Sequence, residues 1–163
     1  MAVGSEQDVA QLYAACYSRL VSIVAVAAGN RGDAEEAVQE AFVRLLRHWP
    51  AVSRYEDPEA WVRRVAFRLL SNRMRKTRNG VRAVFRLGLA TTMEPSPDRV
   101  DVAQALKSLP LAQRQAVVLH HLVGLDVAQV AATLGVPVGT VKSRLGRARA
   151  ALAPLLAEEQ AHA

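Results

Sequence analysis

From Val9 to Leu152 the apolar residues of this chain return every three or four positions, and nowhere do they alternate one by one between turn residues. A period near 3.6 gathers them on one side of an α-helix, whereas a half-buried strand needs a period of two. The fold is therefore expected to be all-α. Between Val81 and Val100 the pattern weakens, and Met93-Glu94-Pro95-Ser96-Pro97-Asp98, with two prolines so close together, is not expected to stay helical. That stretch divides the 163 residues into an N-terminal domain over residues 5–80, a flexible linker over 81–99 and a C-terminal domain over 100–157. With 51% hydrophobic residues, the chain can bury one modest core or two small ones.

The first helix is expected from Glu6 to Ala28, with Val9, Leu12, Tyr13, Cys16, Tyr17, Leu20, Val24 and Ala27 on one face, stopped by Gly29-Asn30-Arg31-Gly32. The second has Asp33 as cap and Glu36 three residues later, the pattern of a capping box, and Pro50 as its end. Its inward stripe reads Ala34, Ala37, Val38, Ala41, Phe42, Leu45, Leu46 and Trp49, leaving Glu35, Glu36, Gln39, Glu40, Arg44 and Arg47 outside. The third opens with Asp57 as cap and Pro58 at the first helical position. Trp61, Val62, Val65, Ala66, Leu69 and Met74 are read as inward. Arg63, Arg64, Arg68, Asn72, Arg73, Arg75 and Lys76 are left mostly outside, which makes a basic, partly aromatic helix suited to nucleic acid.

Charge is unevenly spread. Residues 1–60 hold nine acids and five bases, residues 61–98 two acids and nine bases, and residues 99–163 four acids and seven bases. The overall +6 thus hides regional charges of −4, +7 and +3, as suits a chain with a polyanionic partner at its middle and a basic protein surface at its acidic start.

Beyond the linker, helices over Val102–Leu109 and Leu111–Val123 flank Pro110. Next come a short helix starting at Asp126, the turn residue Gly135 and a final helix beginning near Pro137. A capped helix, a glycine turn and a second helix form the local signature of a helix-turn-helix that reads DNA. Val141, Leu145, Ala148 and Leu152 form its inward stripe, and Thr140, Lys142, Ser143, Arg144, Arg147 and Arg149 its outer face. Arg144 could read guanine with two hydrogen bonds, Lys142, Arg147 and Arg149 suit phosphates, and the hydroxyls of Thr140 and Ser143 could serve either role.

Other chemistries find little support. The single Cys16 allows neither an intrachain disulfide nor zinc binding by cysteines and reads as core filler. His48, His120, His121 and His162 have no carboxylate or cysteine at ligand spacing, so no metal, catalytic group or cofactor is expected. No apolar run reaches the roughly 18 uncharged residues of a membrane span, and Glu6 and Asp8 stand where a secretion signal would be basic and then apolar. The expected location is the cytoplasm.

The segments Leu109-Pro110-Leu111-Ala112-Gln113-Arg114-Gln115-Ala116-Val117 and Gly139-Thr140-Val141-Lys142-Ser143-Arg144-Leu145-Gly146-Arg147-Ala148-Arg149 closely resemble region 4 of the extracytoplasmic-function sigma factors. Asp33-Ala34-Glu35-Glu36-Ala37-Val38-Gln39-Glu40-Ala41-Phe42 resembles their region 2.2, and Ala60-Trp61-Val62-Arg63-Arg64-Val65-Ala66 the start of region 2.4. Length and richness in Ala, Val and Arg look similar to an actinobacterial, SigE-like subgroup. The resemblance implies a transcription initiation factor, with core RNA polymerase and promoter DNA as partners and an anti-sigma protein as a further one. By this likeness Glu36, Gln39 and Glu40 would grip the polymerase β′ clamp helices, and the C-terminal domain would sit at the β flap. The loop from Val52 to Asp57, with Tyr55, would receive a flipped base, and Trp61, Arg64, Arg68, Arg75 and Lys76 would line the −10 element. The helix-turn-helix would read the −35 element.

Two positions depart from the family pattern. Arg68 stands where many relatives carry asparagine, which points it toward phosphate. Val136-Pro137 replaces a frequent serine cap, so that proline's preset φ must do the work of the missing hydrogen bond. The rival readings are a stand-alone helix-turn-helix regulator, which leaves the acidic second helix unexplained, and an enzyme or pure adaptor, which leaves both basic helices without a purpose.

Overall fold

The computed structural model describes residues 2–80 and 97–161, and in them all regular structure is helical. The chain divides into two compact units, Met1–Ala90 and Thr91–Ala163. In the first, helices α1 (Ala2–Ala28), α2 (Arg31–Val52) and α3 (Pro58–Gly80) pack on one another, with α2 against both neighbours. The second holds α4 (Pro97–Lys107), α5 (Leu111–Val117) running into a π-helical turn (Val118–Leu122), α6 (Val127–Leu134) and α7 (Val138–Ala161), with α4, α5 and α6 all meeting α7. The expected linker lies outside the described residues as far as residue 96. From Pro97 the chain is already helical, because proline's fixed φ suits a first helical residue.

The core of the first unit is Cys16, Leu20, Val21, Val24 and Ala27 from α1, Ala34, Ala37, Val38, Ala41, Phe42, Leu45 and Val52 from α2, and Val62, Ala66, Phe67 and Leu70 from α3. Burying one such aliphatic or aromatic side chain contributes about 1.5–3 kcal/mol. By length and apolarity Gly4–Ala28 could also cross a membrane, contrary to the sequence reading. In the fold its fully buried side is the face applied to α2 and α3.

Several sequence expectations are corrected. The cap of α2 is Asn30, not Asp33: the Asn30 side-chain oxygen accepts from the Asp33 amide at 2.8 Å while Asn30 Nδ2 donates to Asp33 Oδ2 at 2.7 Å. Gly29, at φ 81°, makes the left-handed reversal just before it, so α2 starts three residues earlier than expected. Pro50 does not end α2, which continues to Val52. Proline removes only the amide that would reach the Leu46 carbonyl, and Leu46 is exposed to water, so the ladder resumes with Ser53 donating to Trp49 at 2.8 Å. Leu46 is therefore not inward, and Trp49 is only half-buried. In α3 the inward stripe is Val62, Ala66, Phe67 and Leu70, whereas Trp61, Val65, Leu69 and Met74 are half-buried at its margin. The helix after Pro110 also changes character. After Val117 it widens, Val123 donates to Val118 at 3.0 Å, and His120 Nδ1 donates to the Leu125 carbonyl at 2.7 Å.

Candidate functional site

In the first unit, the outer side of α2 carries Glu36, Gln39, Glu40, Val43 and Leu46, all exposed. The three polar residues are each restrained. Glu36 is ion-paired with Arg73 of α3, Gln39 Nε2 donates to the Tyr17 hydroxyl of α1 at 3.1 Å, and Glu40 accepts from Arg44 Nε at 3.1 Å. Tyr17 stacks on Tyr13 with ring centroids 4.4 Å apart, and Phe42 meets Tyr13 edge-on at 5.0 Å. Burial, with Tyr17 adjoining, raises the Tyr13 hydroxyl above the usual phenol range. Glu36, Gln39, Glu40, Val43, Leu69 and Arg73 line an open groove of ≈ 570 Å³. Val43 and Leu46, each 49% exposed, are apolar members of this face that sequence reasoning missed, Leu46 because it was counted into the core.

The turn from α2 to α3 builds a second surface. Asp57 caps α3, its Oδ1 accepting from the Ala60 amide at 3.1 Å. Glu59 in the first turn takes Arg19 Nη2 on both carboxylate oxygens at 2.6 Å, and Arg19 Nε on Oε1 at 3.3 Å, which ties α3's start to α1. The Glu59 carboxylate holds the Arg19 guanidinium above its ordinary value. Tyr55 in the connecting loop is 50% exposed. Trp61 is half-buried beside His48, their rings 5.5 Å apart. Arg64, Arg68, Arg75 and Lys76 are exposed. At 1.5 Å per residue, Trp61 and Lys76 lie about 22 Å apart along α3, so the expected −10 residues make a long ridge and not one cluster. Half-buried Arg63 has its Nε enclosed with no hydrogen-bond partner among the described residues.

In the second unit, the entry to the helix-turn-helix is closely specified. Asp126 Oδ1 accepts from the Gln129 amide at 2.8 Å, and Gln129 Oε1 accepts from the Asp126 amide at 3.0 Å, a reciprocal capping box. Gly135, at φ 68°, ends α6 in the left-handed region that favours glycine. Pro137 precedes α7 and offers no side-chain cap; its carbonyl accepts from Thr140 at 3.0 Å and Val141 at 3.3 Å. Val141, Leu145 and Ala148 are buried, which turns Lys142, Ser143, Arg147 and Arg149 outward, with Thr140 and Arg144 half-buried at the edge. Leu152, expected inward, is half-buried.

Behind this face lies a cation that sequence reasoning did not single out. Arg114 is buried, and its Nη1 donates to the carbonyls of Leu109 at 3.2 Å and Lys107 at 3.4 Å, where α4 ends. Helix-end carbonyls carry partial negative charge and so accommodate a cation. Burial nevertheless pulls its pKa below the usual guanidinium range. Among the described residues no group of three or more His, Cys, Asp or Glu is placed to hold a metal.

Comparison with known proteins agrees with this division. Residues 12–80 match the sigma-70 region 2 family and residues 99–152 the sigma-70 region 4 family. The ECF RNA polymerase sigma factor SigE of Mycolicibacterium smegmatis is 34% identical over 143 residues, 80% of this chain and 54% of SigE, so the chain spans about half of that relative's length. SigM of Mycobacterium tuberculosis is 34% identical over 155 residues, covering 90% of this chain and 76% of SigM. The sigma factor RpoE of Bartonella quintana, solved in complex with the anti-sigma factor NepR, shares the fold at a TM-score of 0.73 and 24% identity, over 92% of this chain and 97% of that one. Since two sigma-70 regions follow one another in the expected order and a curated ECF relative is matched over most of its length, the chain belongs to the extracytoplasmic-function group of sigma-70 family sigma factors.

Proposed function

We propose that this protein binds core RNA polymerase and directs promoter-specific transcription initiation, recognising −10 and −35 elements and assisting promoter melting. Its working parts are a region 2 domain over residues 5–80, a linker over 81–99 and a region 4 domain over 100–157. Glu36, Gln39 and Glu40 grip the β′ clamp helices, and the region 4 domain sits at the β flap. Tyr55, Trp61, Arg64, Arg68, Arg75 and Lys76 serve the −10 element, and Thr140, Lys142, Ser143, Arg144, Arg147 and Arg149 the −35 element. The protein works in the cytoplasm beside the chromosome and is a binding factor, not an enzyme. An anti-sigma protein is its expected regulator.

The observation that carries this reading is the outer side of α2. Restrained acidic and amide groups stand there beside Val43 and Leu46, aliphatic side chains half exposed to water. A stand-alone DNA regulator has no use for such a face, whereas a protein interface needs an apolar centre with a polar rim. Melting is within reach of a protein without ATP. Extruding a base costs a few kcal/mol, and stacking on an aromatic ring returns about 1–3 kcal/mol per base while cations hold the strand.

The deciding experiment is in vitro transcription on fragmented genomic DNA with purified core polymerase, followed by start-site mapping. Starts sharing one pair of upstream elements are expected. Absence of factor-dependent starts would reject the reading, and strong promoter selectivity by the free protein at moderate salt would favour the stand-alone regulator.

A further inference from the structure

His48 lies in the C-terminal half of α2, beside the first turn of α3, and the function proposed above assigns it no role. Its ring is held at two points. Nδ1 is 2.8 Å from the Arg44 carbonyl oxygen, and the imidazole rests 5.5 Å from the Trp61 indole at an interplanar angle of 37°. A carbonyl oxygen can only accept, so Nδ1 carries the hydrogen and the neutral ring keeps its lone pair on Nε2. The side chain is exposed, and among the described residues no hydrogen bond reaches Nε2. A held acceptor thus stands beside an aromatic ring, on two helices that also carry the exposed cations Arg47 and Arg64.

These three kinds of group do different things to an unpaired strand. Cations meet phosphates and are indifferent to sequence. An indole stacks on any base, since every base has a π-face. Only a fixed donor or acceptor aimed at a base edge distinguishes one base from another.

We propose that His48 is a specificity-determining residue of the −10 site, its Nε2 accepting from the exocyclic amino group of an unpaired base stacked beside Trp61. Adenine and cytosine offer an amino hydrogen at that edge. Thymine offers a carbonyl oxygen, which would oppose the lone pair. The inference rests on the assignment of Trp61 to the −10 element.

The test measures binding of fork-junction promoter DNA by polymerase carrying the full-length factor, with adenine, purine lacking the 6-amino group, or thymine placed at each unpaired −10 position in turn. With the native factor, one position should favour adenine over the amino-free purine by about 3- to 10-fold, the yield of one neutral hydrogen bond. His48→Phe keeps a ring against Trp61 but has no lone pair, so the ratio at that position should fall to about 1 while binding persists. An unchanged ratio in His48→Phe, or no position preferring adenine over the amino-free purine, would overturn the proposal. Trp61→Ala separates the two levels. If it weakens fork binding while His48→Phe keeps its ratio, only the role of His48 falls. If Trp61→Ala leaves fork binding untouched, the −10 assignment falls with it.

Discussion

Glu36 on α2 and Arg73 on α3 are joined by an ion pair across the groove between their helices, so one carboxylate of the acidic face is set in position before any partner arrives. Both side chains are largely exposed, and such pairs add only about 0–1 kcal/mol to stability. Their effect belongs to binding, where a group already ordered loses less entropy. Arg73→Ala should therefore leave the melting temperature nearly unchanged and weaken binding to core polymerase several-fold, as read by a fluorescence titration. Unchanged affinity would show that the pair does not position Glu36 for contact.

The polar and apolar parts of the same α2 face should separate by mutation. Gln39→Ala with Glu40→Ala should weaken polymerase binding while the helical circular dichroism remains, because both residues are exposed. Leu46→Asp should weaken it by about 1–2 kcal/mol or more, the size expected of an apolar contact near an interface centre, again without unfolding. Pull-down retention equal to the native factor in both variants would remove α2 from the polymerase interface.

On α7, Arg144 sits half-buried at the edge of the outer face and Arg149 is exposed. Arg144→Ala should cost about 1–3 kcal/mol of discrimination at the −35 element. Arg149→Ala should weaken all sequences alike and lower the salt slope by about one. Uniform loss of affinity in Arg144→Ala would mean that another residue reads the bases.

Cys16 gives the first unit a pH signature in the alkaline range. Burial, helped by the neighbouring Glu59 carboxylate, pushes its thiol up to about 11. A group raised above its unfolded value contributes stability that is complete below the ordinary thiol range and lost as pH climbs through the folded value. This contribution should be level up to about pH 8.5, where free thiols titrate, and decline toward pH 11. Iodoacetamide near pH 8.5 should label the unfolded chain at least about 100-fold faster than the native one, in line with the smaller thiolate fraction. Rapid labelling of the native protein would contradict the burial of Cys16.

How far these elements were legible in the sequence depended on how local their cause is. Asp126 with Gln129, Asp57 before Pro58, and Gly135 after Leu134 act within four residues of themselves, and each does what its residue type implies. Asn30 and Asp33 fit the same capping rule, and only the chain direction after Gly29 decides between them. Hydrophobicity alone sets the stripe of α3 about one residue early, because it places Trp61 inside and passes over Phe67 and Leu70, whereas the wide amphipathic indole settles at the rim. Leu46 shows the same limit in reverse. Whether an apolar residue at a stripe's margin is covered depends on where α1 and α3 cross α2, which no local pattern encodes. The ion pair of Glu36 with Arg73 and the hydrogen bond of Gln39 to Tyr17 join residues on different helices, and spacing along the chain could not have announced them.

The separation of tasks along α7 also bears on how such factors diverge. Val141, Leu145 and Ala148 are buried and anchor the helix, while Lys142, Ser143, Arg147 and Arg149 are exposed. Substitutions at solvent-facing positions usually change stability by no more than about 0.5 kcal/mol. With the −35 role proposed for this face, a duplicated copy of this gene could exchange one promoter preference for another by single steps, each leaving a folded intermediate, so that new regulons can be explored without first repairing the domain.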